Sequence, residues 1–183
     1  MKRTALIVAT FFGSGLIPPI ILSGMAGTYG SIAAIPACLL LLWSSKAMFA
    51  GPALQITWYT GITFLVYWLG AWSVPGAERM LGRRVDWKGR IKDHDQNQIV
   101  IDEVLGMLIA CSPLLVIIMH WWLGAILAFG FFRIFDIVKL WPANVFDNDP
   151  RPGAVMLDDA IAGIYAAVAL LASHFSINTI LSW

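Results

Sequence analysis

Long apolar runs separated by short polar segments form the dominant pattern of this chain. A helix that crosses the hydrocarbon core of a bilayer needs about 20 mostly apolar residues. The predicted fold class is therefore all-α, a polytopic integral membrane helical bundle with about five spans, formed by a single domain over residues 1–183. The runs that predict these spans are 31–49, 53–72, 101–119, 121–140 and 160–181.

Residues 5–30 precede these runs and are also apolar, but glycines and prolines interrupt them in GSGLIPP (13–19) and SGMAGTYGS (23–31). This pattern predicts a short helix followed by a re-entrant or surface loop. Irregular backbone at membrane depth needs protein or water partners for its amides, so we expect the loop to line a site. Its glycine-rich part could cradle an anion with backbone amides, and the candidate substrate-binding residues there are Gly27, Thr28 and Ser31. The alternative is a plain loop between two helices.

Composition supports the membrane assignment, since 59% of the residues are hydrophobic and only 13% are charged. Nucleic acid is not an expected partner of such a chain. Cys38 and Cys111 lie in separate apolar runs without a CxxC pattern, which indicates core residues rather than metal or redox chemistry.

The topology follows from the basic segment 73–100, which carries a concentration of lysine and arginine. Short basic loops stay in the cytoplasm, so we expect segment 73–100 there. By the parity of the spans, the loop 141–157 lies on the same side and belongs to the site.

Ionisable side chains stand at the ends of three of the predicted spans. Asp102 and Glu103 open the third span, Asp158 and Asp159 precede the fifth, and the fourth closes on a basic and acidic set. That set is Arg133, Asp136 and Lys139. Because charges at membrane depth usually face a bundle interior or a wet cavity, we expect one polar pocket that faces the cytoplasm between three helices.

The residue types in this pocket suit phosphoryl chemistry. Carboxylates are hard oxygen ligands of the kind that Mg²⁺ prefers, and arginine and lysine both bind phosphate. We expect the metal ligands to be Asp102, Glu103, Asp158 and Asp159. Arg133 and Lys139 would bind the phosphate, while Asp136 orients Arg133. Two simpler explanations remain open: the acid pairs could be helix caps, and the charges at i,i+3 could only neutralise each other.

Several motifs in order resemble those of the phosphatidylglycerophosphatase A family. They cover nearly the whole chain and read GSGLIPP, GTYGSIAAIP, IVIDEVLGML, FRIFDIVKLWP and VMLDDAIAGIYA. The resemblance implies a Mg²⁺-dependent, multi-pass enzyme of the bacterial inner membrane. Such an enzyme removes the terminal phosphate of phosphatidylglycerophosphate, a phospholipid substrate in the bilayer, to give phosphatidylglycerol. It also implies catalytic roles for the residues that fall on the family's motifs: Asp102, Glu103, Arg133, Asp136, Lys139, Asp158 and Asp159.

Two other classes of function use the same features. A small ion- or proton-coupled transporter would employ the buried charges as a relay, although the opposite halves of the predicted spans carry no acidic residue. A non-catalytic membrane assembly subunit would tolerate replacement of the charge pairs. Within the phosphatase hypothesis, an aspartyl-phosphate intermediate and a metal-activated water are both open, as are the number of metal ions, the range of lipid phosphates and the oligomeric state.

Overall fold

The computed structural model of the chain describes residues 2–16, 26–82, 84–85, 91–92, 98–146, 151 and 154–181. Its helices are α1 (Lys2–Ala9), α2 (Ala26–Met48), α3 (Pro52–Leu81), α4 (Ile101–Cys111), α5 (Trp121–Val138), α6 (Ala143–Phe146) and α7 (Ala154–Leu181). Short 3-10 helices at Ser14–Leu16 and Ser112–Leu115 follow α1 and α4. Two strands of two residues each, β1 (Arg84–Val85) and β2 (Ile91–Lys92), pair antiparallel between α3 and α4. The described chain is thus a helical bundle, as the sequence pattern predicts.

Three of the described helices are long and apolar enough to cross a membrane: Gly27–Met48, Trp121–Val138 and Ala154–Ser176. They lie in α2, α5 and α7, so the chain is a membrane protein. The prediction of about five spans is less precise than this result, which finds three candidate spans among the described helices. The predicted span 101–119 contains a helix of only 11 residues, because the chain changes to a 3-10 turn at Ser112 and Pro113. At about 1.5 Å per residue, α4 covers roughly half of a bilayer core.

The other predicted span, 53–72, lies inside α3, which is 30 residues long but is not among the three apolar spans. The predicted span ended at residue 72, yet α3 continues through Pro75 to Leu81. The reason is tertiary packing, since Val74 and Ala77 are fully buried in a cluster with Ala9 of α1. The first nine residues of the predicted loop 73–100 are therefore helical.

Two other helices begin earlier than the apolar runs suggested. α2 begins at Ala26, ahead of the predicted start at residue 31, and α7 begins at Ala154, ahead of residue 160. Consequently Asp158 and Asp159 lie more than one turn inside α7 rather than in front of it. The expected loop over 23–31 is helical from Ala26 onward, and the part before that lies outside the described residues.

α4 is the centre of the bundle, and nearly every side chain on it is buried. It packs against α2, α3, α5 and α7. The closest approach is to α7, where a side chain on Gly163 would meet the backbone of Gly106. Small residues allow this kind of contact between membrane helices. α3 is fixed to the middle of α4 by the buried Tyr59, whose hydroxyl donates to the carbonyl oxygen of Leu108 at 2.7 Å.

Candidate active site

The first turn of α4 and the second turn of α7 bring three carboxylates together. Asp102, Glu103 and Asp159 each offer one oxygen atom, and these atoms lie within 4.8 Å of one another. Asp102 and Asp159 are both 5% exposed. The Oε2 atom of Glu103 is buried and, among the described residues, has no hydrogen-bond partner. Buried carboxylate oxygens are normally paired or coordinate a metal, and these three groups could hold a metal ion.

Asp158, the neighbour of Asp159, has a different environment. Its Oδ2 accepts from the Lys139 ammonium at 2.6 Å, in an ion pair that joins α7 to the end of α5. Lys139 follows the last residue of α5 in a left-handed backbone conformation, with a φ of 47°. Asp158 was predicted as a metal ligand together with the other three acids; in this structure it lies outside the carboxylate group and holds the lysine.

Arg133 and Asp136 form the second ion pair of the site. Nη1 of Arg133 lies 2.8 Å from Oδ2 of Asp136, one helical turn along α5. The i,i+3 pairing expected from the sequence is therefore present, and Asp136 is in a position to orient the guanidinium. The same Nη1 also donates a long hydrogen bond of 3.5 Å to Oγ of Ser31 on α2.

The start of α2 joins these groups from the side. A side chain on Gly27 would collide with Oε1 of Glu103 and would come within 3.4 Å of Nη1 of Arg133. The glycine thus lets the α2 backbone lie directly against both the carboxylate group and the arginine. Its carbonyl accepts from the hydroxyl of Ser31 at 2.8 Å.

The predicted anion cradle takes a different form in the structure. Gly27, Thr28 and Ser31 were expected ahead of a helix, in a glycine-rich loop, but they lie in the first turns of α2. Ser31 is fully buried and Thr28 is half-buried. Of the three, Gly27 and Ser31 contact other site residues in the ways just described. The structure therefore brings all the sequence-predicted positions to one end of the bundle. The charged residues among them form the carboxylate group and the two ion pairs.

Sequence reasoning missed two residues that support the site. Phe132 is fully buried against Gly106, in the space that a side chain on that glycine would occupy. Tyr165 on α7 donates its hydroxyl to the carbonyl oxygen of Trp141 at 2.8 Å, and its ring packs against Phe135 at an angle of 35°. A signal was available for the tyrosine, because Tyr165 follows Asp158 by seven residues and so shares its helix face.

A helical membrane bundle with this site has a definable chemistry. Three buried carboxylates can hold a hard divalent cation, and an arginine and a lysine beside them can bind an anionic group. The fold and the site together define a membrane protein whose buried site could hold a metal ion and bind an anionic group.

Comparison with known proteins agrees with this class. Residues 7–174 match the model of the family "PgpA: Phosphatidylglycerophosphatase A". A phosphatidylglycerophosphatase A of Haemophilus influenzae is 30% identical over 170 residues, which cover 92% of this chain and 88% of that protein. Its counterpart in Escherichia coli is 30% identical over 162 residues, covering 88% of this chain and 78% of that protein. A Bacteroides thetaiotaomicron protein, provisionally named a phosphatidylinositol-3-phosphatase, is 28% identical over 97% of this chain and 100% of its own length. No solved structure matches the chain.

The chain belongs to the phosphatidylglycerophosphatase A family. It is accordingly a phosphatase, and the hydrolase class expected from the sequence motifs is confirmed.

Proposed function

We propose that this protein hydrolyses the terminal phosphate of phosphatidylglycerophosphate in a Mg²⁺-dependent reaction at the cytoplasmic face of the bacterial inner membrane. The observation that carries the proposal is the convergence of three carboxylates and two phosphate-binding side chains from α4, α5 and α7 at one end of the bundle. Family membership supports the substrate, since two of the relatives are named for this activity.

The residues present fit a magnesium ion. The group of Asp102, Glu103 and Asp159 consists only of hard oxygen donors, and the buried Oε2 of Glu103 lacks a partner within the described part of the chain. These three residues would hold the ion, which would supply Lewis-acid activation of the phosphate and neutralise part of its charge. Asp158, expected as a fourth ligand, is paired with Lys139 through its Oδ2 atom.

The basic residues would bind the phosphate itself. Arg133 presents a planar fork that matches two phosphate oxygens, and Asp136 holds this fork in place. Lys139 would add a point charge and would leave Asp158 as the phosphate arrives. In the reaction, water adds to phosphorus, the bond from phosphorus to the glycerol oxygen breaks, and the leaving oxygen takes up a proton. Attack by a site carboxylate followed by hydrolysis of the acyl phosphate gives the same products.

The decisive experiment measures phosphate release by the purified protein from four substrates with Mg²⁺ and with EDTA. The substrates are phosphatidylglycerophosphate, phosphatidylinositol 3-phosphate, phosphatidic acid and glycerol 3-phosphate. We expect Mg²⁺-dependent turnover of phosphatidylglycerophosphate above the others. Faster turnover of phosphatidylinositol 3-phosphate would assign the specificity suggested by the Bacteroides relative. Unchanged turnover in EDTA would exclude the metal mechanism.

Sidedness has its own test. Cys38 and Cys111 are both buried, so a cysteine introduced at the exposed Asn144 would be the accessible thiol within the described residues. We expect a membrane-impermeant maleimide to label Asn144→Cys in inverted membrane vesicles and not in intact spheroplasts. Labelling in spheroplasts would place the site on the opposite face.

A further inference from the structure

The described surface carries an apolar groove beside the acidic group, and we propose that it holds one acyl chain of the phosphorylated lipid during the reaction. This inference rests on the proposed function and adds to it a place for the hydrophobic part of the substrate. The groove has a volume of about 390 Å³ and lies between α3, α4 and α7. Its lining includes Thr60, Phe64, Tyr67, Leu105, Ile109 and Ala160.

The residues that line the groove neighbour the acidic group along two helices. On α7, Leu157 and Ala160 line it, and they flank the two aspartates in sequence. On α4, Leu105 follows Asp102 by one turn and Ile109 follows it by two, so Asp102 lies on the face of α4 that forms the groove. A lipid with its phosphate against Asp102 therefore has a path for a chain along that same face.

From the acidic group, the groove runs toward the middle of the bundle. Near the acidic end, α3 contacts the starts of α4 and α7, since a side chain on Gly70 would approach Ile101 to 3.5 Å and would collide with Met156. Farther in, the hydroxyl of Tyr59 bonds to the carbonyl of Leu108. The groove residues of α3, from Tyr67 back to Thr60, lie between these two contacts. Seven residues of helix correspond to about 10 Å, a length that several methylene groups fill.

Comparison with a second groove shows why position matters. Another apolar groove, of about 260 Å³, is lined by the start of α3 and includes Phe49, Thr57 and Trp58. It lies on the part of α3 away from the acidic end, and none of its lining residues belongs to α4 or α7, the helices that carry the carboxylates. An apolar groove alone therefore does not indicate a substrate site; a groove whose lining residues neighbour the carboxylates along α4 and α7 does.

The groove would affect which acyl chains are accepted and where the headgroup lies more than it affects the affinity for the lipid. Bilayer chains are as apolar as leucine, so moving a chain from the bilayer into the groove brings little hydrophobic gain. A chain held between Phe64, Tyr67 and Ile109 fixes where the headgroup lies relative to Asp102. Narrowing the groove should thus alter chain-length preference and KM, while the carboxylates remain intact.

A matched pair of substitutions on α3 tests the proposal. Thr60→Trp fills the groove at its inner end, away from the acidic group, whereas Thr57→Trp places the same side chain in the second groove, one turn away; both threonines are exposed. The ratio of kcat/KM for dioleoyl to dihexanoyl phosphatidylglycerophosphate should fall about tenfold in Thr60→Trp, the size of effect expected for a blocked apolar pocket. Thr57→Trp should keep the wild-type ratio. Equal ratios in all three proteins, or equal losses in both variants, would overturn the proposal.

A second measurement does not need turnover. The probe is a phosphonate analogue of phosphatidylglycerophosphate with a diazirine in one acyl chain, and the control is phosphatidylcholine with the same chain. After irradiation, the phosphonate should label Phe64 and Ile109 several-fold more than the control, and Thr60→Trp should abolish this excess. Equal labelling by both lipids would mean that bulk lipid fills the groove. If labelling holds but no lipid phosphate is hydrolysed, the proposed function fails while the groove assignment stands.

Discussion

The carboxylate group and the two ion pairs lie at the same end of the bundle, but they differ in how their charge is compensated. In the ion pairs, Arg133 lies 2.8 Å from Asp136 and Lys139 lies 2.6 Å from Asp158, so each cation has an acidic partner. In the carboxylate group, three acids lie within 4.8 Å of one another and the buried Oε2 of Glu103 has no partner among the described residues. The ion pairs are compensated within the protein, whereas the carboxylate group could hold a metal ion.

This difference assigns separate tasks to chemically similar residues. Asp158 and Asp159 are adjacent in sequence, yet one holds a lysine and the other joins the carboxylate group. Under the proposed function, the ion pairs would keep Arg133 and Lys139 in place before substrate arrives and would exchange partners when it binds. Mutations in the two regions should therefore differ in size and in the kinetic parameter that they change.

The largest effect is expected in the carboxylate group. Asp159→Asn and Glu103→Gln should each lower kcat by about a thousandfold or more, because a catalytic metal contributes several kcal/mol to transition-state stabilisation. Both variants should also lose the rise in melting temperature that Mg²⁺ gives the wild type, which thermal unfolding in detergent measures.

The control for this prediction is Glu78→Gln. Glu78 is also a buried acid, 8% exposed, but it lies on α3 outside the carboxylate group. This variant should retain the response to Mg²⁺ even if its melting temperature is lower. If Asp159→Asn still responded to Mg²⁺ like the wild type, the carboxylate group would not be the metal site.

A smaller effect is expected in the ion pairs. Arg133→Lys keeps the positive charge but loses the planar fork that binds two oxygens at once. We expect kcat/KM to fall by about a hundredfold, the equivalent of one or two charge-assisted hydrogen bonds, while the Mg²⁺ response in thermal unfolding remains. A loss of that response in Arg133→Lys would show that the two regions do not act separately.

The sequence allowed much of this site to be predicted, because charged residues in apolar helices are costly and therefore informative. Arg133 and Asp136 could be paired from their spacing alone. The different partners of Asp158 and Asp159 could not be predicted from the sequence. They depend on the left-handed turn at Lys139, which directs the ammonium to one of two adjacent acids. In the fold, Ser112 and Pro113 mark the early end of α4. The end was missed because the residues on both sides of them are hydrophobic, so that the pattern predicts one span over 101–119. The continuation of α3 past Pro75 required knowledge of its packing against α1.

A still smaller effect is expected where α2 contacts both the carboxylate group and Arg133. Gly27→Ala would place a methyl group against Oε1 of Glu103 and near Nη1 of Arg133. We expect kcat to fall about tenfold, since a displacement of catalytic groups by a fraction of an ångström weakens positioning. Gly130→Ala on α5 is the matched control, because its added methyl group would meet nothing within 4 Å. That variant should be as active as the wild type and slightly more stable, as alanine is the better helix former. Equal activity of both variants would contradict the close contact at Gly27.

The smallest effect is expected at Tyr165, which supports one of the ion pairs from outside the pocket. Its hydroxyl holds the carbonyl of Trp141, two residues after Lys139, and a single hydrogen bond of this kind contributes about 1 kcal/mol. Tyr165→Phe keeps the ring against Phe135 and removes only this bond. We expect KM to rise by a few-fold with kcat nearly unchanged, because a freer Lys139 binds phosphate less well while the carboxylate group is untouched. In Lys139→Ala the same tyrosine substitution should have no further effect, and an additive loss in the double variant would show that Tyr165 acts by another route.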